Sequence, residues 1–221
     1  RIENLTFSNI IMRNVTGPIG IGFSGPSRNN SNNNPQPTTK PFIRNIVFNG
    51  IRATVAAKPI DHPDIHFGVT IREGEKNSCI TLNAMNEYYL ENISFTDVHV
   101  TYAGGGTAEQ AAKEVPKVAA EYFGVWDPLP GGPPAYGLYA RNVKGLTLQN
   151  VRFGYEQADA RPAIVFDNVE DASINGLSVM GSAGNEVMRL INSKDVLLTA
   201  TKILTPAAVF LKIEGADSAG I

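Results

Sequence analysis

One eleven-residue pattern occurs six times in this chain, and it constrains the fold more than any other feature. Leu90–Val100 (L-E-N-I-S-F-T-D-V-H-V) shows it most clearly; Ile2–Met12, Ile43–Ala53, Val143–Phe153, Val169–Val179 and, more loosely, Ser193–Ile203 repeat it. An aliphatic residue opens each copy, and a small polar or turn-forming residue stands third. Apolar residues alternate at positions four and six, a turn residue falls near eight, and alternation resumes at nine and eleven. Alternation at period two is the mark of a strand, because successive side chains point to opposite faces. The residue near position eight breaks the run into two short strands at an angle, so each copy reads as one corner of a coil.

Copy spacing sets the architecture. Successive copies start 41, 47, 53, 26 and 24 residues apart. The shorter two intervals match one turn of a parallel β-helix, roughly 20–30 residues per coil. The longer three fit one coil with a large loop, or two coils. The expected fold is all-β, a right-handed single-stranded parallel β-helix over residues 1–221 as one domain, with inserted loops at about 24–40 and 104–134. Stacked copies place Ile46, Ile93, Leu146, Ala172 and Val196 in one inward column. The same grammar in P-A-Y-G-L-Y-A-R-N-V and A-R-P-A-I-V-F-D-N-V puts Tyr136–Tyr139 on one strand and sets Arg141 beside Asp167 on adjacent rungs.

Composition narrows function by exclusion. A net charge of −2 gives no clustered basic face of the kind nucleic acid requires, and no run of 18 apolar residues is present to span a membrane. The single cysteine, Cys79, cannot form an internal disulfide and reads as a small buried hydrophobe. The chain opens inside a repeat with Arg1, which reads as a fragment, an excised module or a processed product. Asn4, Asn14, Asn29 and Asn92 begin glycosylation triplets, but three of them lie inside the repeat and are better explained as ladder and turn residues.

Between the copies lie the candidate sites. Ser24–Lys40 is a polar, Asn-rich loop too poor in apolar residues to offset its ordering entropy. Asp61, His62, Asp64 and His66 are the one cluster of metal-ligand types, although Pro63 prevents a helix from aligning the two histidines, so a solvated loop is the simpler reading and no metal is expected. Val69–Arg72 and Cys79–Asn83 read as strands around a charged tip, where Arg72 and Lys76 suit an acidic ligand. Ala108–Phe123 has helix-favouring composition with Thr107 as cap and an interruption at Pro116. The following Pro/Gly loop carries the single tryptophan, Trp126, near Tyr122, Phe123 and Tyr136. Flat rings of this kind stack on sugar faces, and these four residues with Arg72 and Lys76 form the expected carbohydrate-binding set.

R-I-E-N-L-T-F-S-N-I, the G-G-G-T-A…P-A-Y-G-L-Y-A-R-N-V-K-G-L-T-L-Q-N-V-R-F block, D-A-R-P-A-I-V-F-D-N-V-E-D and F-L-K-I-E-G-A-D-S-A-G-I together resemble the C-terminal half of bacterial family 28 glycoside hydrolases, the polygalacturonase and rhamnogalacturonase group. The resemblance implies a right-handed parallel β-helix, a secreted or periplasmic location, and plant cell-wall polysaccharide, pectic or xylan-type, as partner. That family hydrolyses with inversion through N-T-D, D-D, G-H-G and R-I-K motifs, and none of these occurs here. Inversion needs two carboxyl groups roughly 6.5–9.5 Å apart, whereas Glu170 and Asp171 are neighbours that a strand sends to opposite faces. No catalytic residue and no cofactor is therefore expected. Three readings follow: a non-catalytic binding module appended to a glycoside hydrolase, the C-terminal part of such an enzyme, or a structural stalk. A catalytic domain or a second copy is the expected cover for the open ends of the coil stack.

Overall fold

A computed structural model describes residues 1–22, 41–57, 77–84, 88–115, 132–182 and 184–221. Among the described residues are strands β1 (Ile2–Val15), β2 (Gly20–Gly22), β3 (Ile43–Val55), β4 (Ile80–Asn83), β5 (Leu90–Gly104), β6 (Leu138–Gln157), β7 (Ile164–Asn175), β8 (Ser178–Val179), β9 (Glu186–Ile191), β10 (Lys194–Thr199), β11 (Lys202–Ile203) and β12 (Val209–Glu214), with a short helix α1 (Ala108–Ala111). All strands belong to one sheet. Every pairing is parallel.

Two lines of pairing run through the molecule, joined by the long strands. Along the first, Leu5, Ile46, Ile93, Leu146, Ala172 and Val196 are consecutive partners, so the six copies stack directly on one another. The five expected column residues from Ile46 to Val196 are all buried. The long intervals therefore separate strands that are direct neighbours in the sheet. The second line joins Ile80, Leu138, Ile164, Met188 and Leu211. The first four of these are buried, Cys79 lies beside them in the same core, and Leu211 is partly covered. This arrangement is compatible with a parallel β-helix.

The single expected corner per copy is in fact two. Position three (Asn4, Asn45, Asn92, Gly145, Asp171, Asp195) and position eight (Asn9, Gly50, Asp97, Asn150, Gly176, Ala200) all take positive φ, between 50° and 73°. Asn, Asp and Gly enter this left-handed region at least cost, which is why they recur there. A left-handed residue also interrupts side-chain alternation. With Val169 and Ala172 both buried, Glu170 and Asp171 lie together on the solvent side rather than on opposite faces.

Three ladders follow the columns. At position three, Asn45 Nδ2 donates to Asn4 Oδ1 at 2.9 Å and Asn92 Nδ2 to Asn45 Oδ1 at 3.1 Å. At position six, the rings of Phe7, Phe48 and Phe95 stack with centroids 5.1 and 5.0 Å apart. At position two the charges alternate through Glu3, Arg44, Glu91, Lys144, Glu170 and Lys194. Ion pairs close at Arg44–Glu3 (2.9 Å) and Lys144–Glu170 (3.1 Å). Asn4, Asn14 and Asn92 all occupy left-handed bends, in keeping with the turn role read from their positions.

Helix α1 is shorter than composition suggests. Thr107 caps it as expected, in a reciprocal box with Gln110 (Thr107 N to Gln110 Oε1, 2.8 Å). It ends by Ala112, well before Pro116. The sheet meets the liberated carbonyls: Arg189 Nη1 donates to Ala111 O and Arg141 Nη2 to Val115 O, each at 2.7 Å. Residues 116–123 of the expected helix lie outside the described residues.

Candidate functional site

The stacking that buries positions four and six turns positions five and seven outward as two parallel columns. Position five carries Thr6, Val47, Ser94, Thr147, Ser173 and Leu197, and position seven carries Ser8, Asn49, Thr96, Gln149, Asn175 and Thr199. All twelve are exposed or half-exposed; ten bear a hydroxyl or amide, and none is charged. Rungs recur at about 4.8 Å. The result is a broad floor of donors and acceptors on a fixed pitch, able to hydrogen-bond a polyhydroxylated chain without a strong field of its own.

One edge of this floor is the alternating charge column at position two, which is close to neutral overall. Beyond the bend at position eight lies a different edge. Position ten places Arg52, His99 and Arg152 on consecutive rungs, with Ser178 after Arg152 and Lys202 after Ser178. Asp97 is shared between them: Arg52 Nη2 donates to both its carboxylate oxygens at 3.0 and 2.9 Å, Asn150 Nδ2 donates to Oδ1 at 3.0 Å, and His99 Nε2 lies 3.6 Å from Oδ1. Burial first, and then the Arg52 guanidinium, hold His99 below its usual range, so it is neutral near pH 7. Arg152 is exposed and makes no ion pair among the described residues. This edge offers positive charge to an acidic ligand.

A second polar group sits on the other pairing line. Arg141 and Asp167 are register partners, as the sequence implies, with Nε–Oδ2 and Nη2–Oδ2 both at 2.7 Å and the Tyr139 ring beneath the guanidinium. Arg189 pairs with Glu186 at 2.5 Å on the same side. These side chains are mostly covered, and they hold α1 and the segment after it against the sheet. Their role is to fasten the insertion.

Of the expected aromatic set, Tyr136 is the member that falls among the described residues, and it does not lie on the surface. Tyr136 is fully buried; its hydroxyl donates to Met180 O at 2.8 Å, and its ring meets Tyr102 and Tyr155 edge-on at 5.9 and 5.3 Å. It precedes β6, whose first residue is Leu138, and serves the core where it was expected to stack on sugar. Burial raises its pKa beyond the ordinary phenol range. Trp126, Tyr122, Phe123, Arg72 and Lys76 lie outside the described residues. So do Asp61, His62, Asp64, His66, the Asn-rich loop with Asn29, and Val69–Arg72. Among the described residues no three His, Cys, Asp or Glu side chains are grouped to hold a metal ion.

The floor was legible and overlooked. No copy has a charged residue at position five or seven, whereas all six have one at position two, and Ile43–Ala53, Val143–Phe153 and Ser193–Ile203 add Arg or Lys at position ten. Reading the repeat for what it excludes finds the wall directly. Among the described residues no helix is long and apolar enough to cross a membrane. No known family, curated protein or solved structure matches the chain.

Proposed function

We propose that this chain is a right-handed single-stranded parallel β-helix that binds plant cell-wall polysaccharide, pectic or xylan-type, along its outer wall without hydrolysing it, as a secreted or periplasmic module appended to a glycoside hydrolase. The observation that carries the reading is the uncharged hydroxyl and amide floor of positions five and seven, with a basic edge beside it. Sugars present closely spaced hydroxyls, and a fixed array of partners engages them at low ordering cost. The carboxylates best placed on the walls support the absence of hydrolysis. Asp97, Asp167, Glu170 and Glu186 each have oxygens taken up by a cation, which is unlike a free acid and base facing one bond.

The exposed apolar side chains of the first coil, Leu5 and Phe7 among them, favour a second reading. In it the wall is the C-terminal part of a family 28 inverting hydrolase, with the catalytic section on further coils.

Titration of soluble pectin and xylan fragments into wild type, Thr147→Glu and Trp126→Ala tests both the ligand and its place. A carboxylate in the middle of the floor is expected to weaken binding by about tenfold, the scale of one lost good contact. Loss in Trp126→Ala with full binding in Thr147→Glu moves the site to the insertion. No binding by the folded wild type, or reducing-sugar release anywhere between about pH 4 and 9, overturns the proposal.

A further inference from the structure

The inward side chains of the first coil are open to solvent where those of the next are covered. Ile2, Leu5 and Phe7 are 47, 42 and 41 % exposed, although their partners Ile43, Ile46 and Phe48 are buried. Together with residues such as Pro18 and Ile21 they line an apolar trough of ≈ 430 Å³. Among the described residues β1 pairs with β3 alone, so its other edge has no described strand beside it along fourteen residues. Long apolar edges of this kind are templates for another strand.

The ladders state which strand. We infer that β1 is a docking edge for a further parallel coil bearing this chain's own eleven-residue pattern with a cation at its second position. Each amide in the position-three ladder donates to the rung before it, which leaves Asn4 Nδ2 as the outward donor. The incoming third residue must accept, as Asn or Asp does. The aromatic stack ends at Phe7 with one ring face uncovered, which asks for an aromatic or long aliphatic sixth residue. The position-two column ends at Glu3, so its alternation continues only with Lys or Arg. Continuity with the existing β1–β3 and β3–β5 interfaces gives the direction, which is parallel.

A second copy of the chain fits poorly. Its last coil is already partly covered, because Ala219 pairs with Lys194 and Val196 N donates to Gly220 O at 3.0 Å. A first coil seated there would rest on half a rung. Two β1 edges related by a twofold axis would run antiparallel and align none of the three ladders.

Two peptides supply the test, Leu90–Val100 and the same peptide with Glu91→Lys, titrated into the full chain. The lysine peptide is expected to bind about tenfold more tightly, the combined effect of gaining an opposite and losing a like cross-strand charge. Glu3→Lys in the protein should reverse the order, and Phe7→Asp, a change at an exposed site, should abolish both. Absence of binding by either peptide, equal affinity for the two, or binding that survives Phe7→Asp overturns the inference. Sedimentation of the chain alone provides an independent check: a concentration-dependent dimer lost in Phe7→Asp assigns the edge to a second copy and also overturns it.

Discussion

Arg161 and Asp159 meet through two parallel hydrogen bonds, Nε to Oδ1 at 3.0 Å and Nη2 to Oδ2 at 2.8 Å, with both side chains almost wholly removed from solvent. The pair fastens two insertions to the sheet. Arg161 Nη1 donates to Asn77 O, Pro133 O and Ala135 O, and Asp159 Oδ2 accepts from Gly106 N at 3.0 Å. The backbone comes so close that a Cβ on Gly106 would lie 2.2 Å from Arg161 Nε.

Breaking this pair should be costly. Asp159→Ala leaves a buried guanidinium uncompensated and is expected to destabilise by about 3–5 kcal/mol, read from the urea midpoint. Replacing both partners by apolar residues should cost less than Asp159→Ala alone, because no charge is then stranded.

The bends make an independent prediction. Ala200 is the one position-eight residue that holds a positive φ (50°) with neither a missing Cβ nor a polar side chain. Ala200→Gly is expected to stabilise by up to about 1 kcal/mol, the steric relief of roughly 1–2 kcal/mol offset by added chain entropy. Asn45→Ala should destabilise by about 1–2 kcal/mol through the same steric term, while Asn45→Gly, which copies Gly145, should cost less. Thermal unfolding of the three variants decides between them.

Alkaline pH should destabilise the fold through its buried acids. Burial pushes the Cys79 thiol from 9.0 up to about 11. The folded state thus holds its proton more tightly than the unfolded chain does. The thiol's contribution to stability is complete below pH 9 and is lost as pH rises toward 11, by about 1.4 kcal/mol per unit. Tyr102 and Tyr139, also raised by burial, extend the loss to higher pH. Urea midpoints between pH 8 and 11 should fall for wild type and fall less steeply for Cys79→Ala. Native Cys79 should also resist thiol reagents at pH 8 and react once the chain is unfolded.

The tryptophan keeps its place as a test of the insertion. Trp126→Ala in a folded chain should lower polysaccharide affinity by about 1–3 kcal/mol if its ring stacks on sugar. Affinity electrophoresis against pectin and xylan measures this, and unchanged mobility assigns the ring to packing.

The parallel stacking of the copies was legible because every element of it is local and repeated. An apolar residue at positions four, six and nine can be seen in a single line of sequence, and six copies give the register from Leu5 to Val196 directly. The Arg141–Asp167 pair was readable for the same reason, each residue standing one step before an Asn in the same context. Tyr136 was misplaced because the repeat gives no depth to residues outside it; only the close approach of Tyr102 and Tyr155 shows that its ring faces inward. The second bend was missed because Asn at position three looks like any polar strand residue until its φ is known. Arg161 and Asp159 were passed over because their partners are mostly backbone carbonyls and amides from distant segments, which leave no signature in the sequence.

The alternating charges at position two carry a consequence for how such a chain can change length. Removing one coil from the middle would bring Arg44 against Lys144, or Glu91 against Glu170, whereas removing two adjacent coils would leave opposite signs facing. Coil number is thus constrained by parity: duplication or loss in pairs preserves the pattern, and a single step leaves a like-charge seam that marks the join.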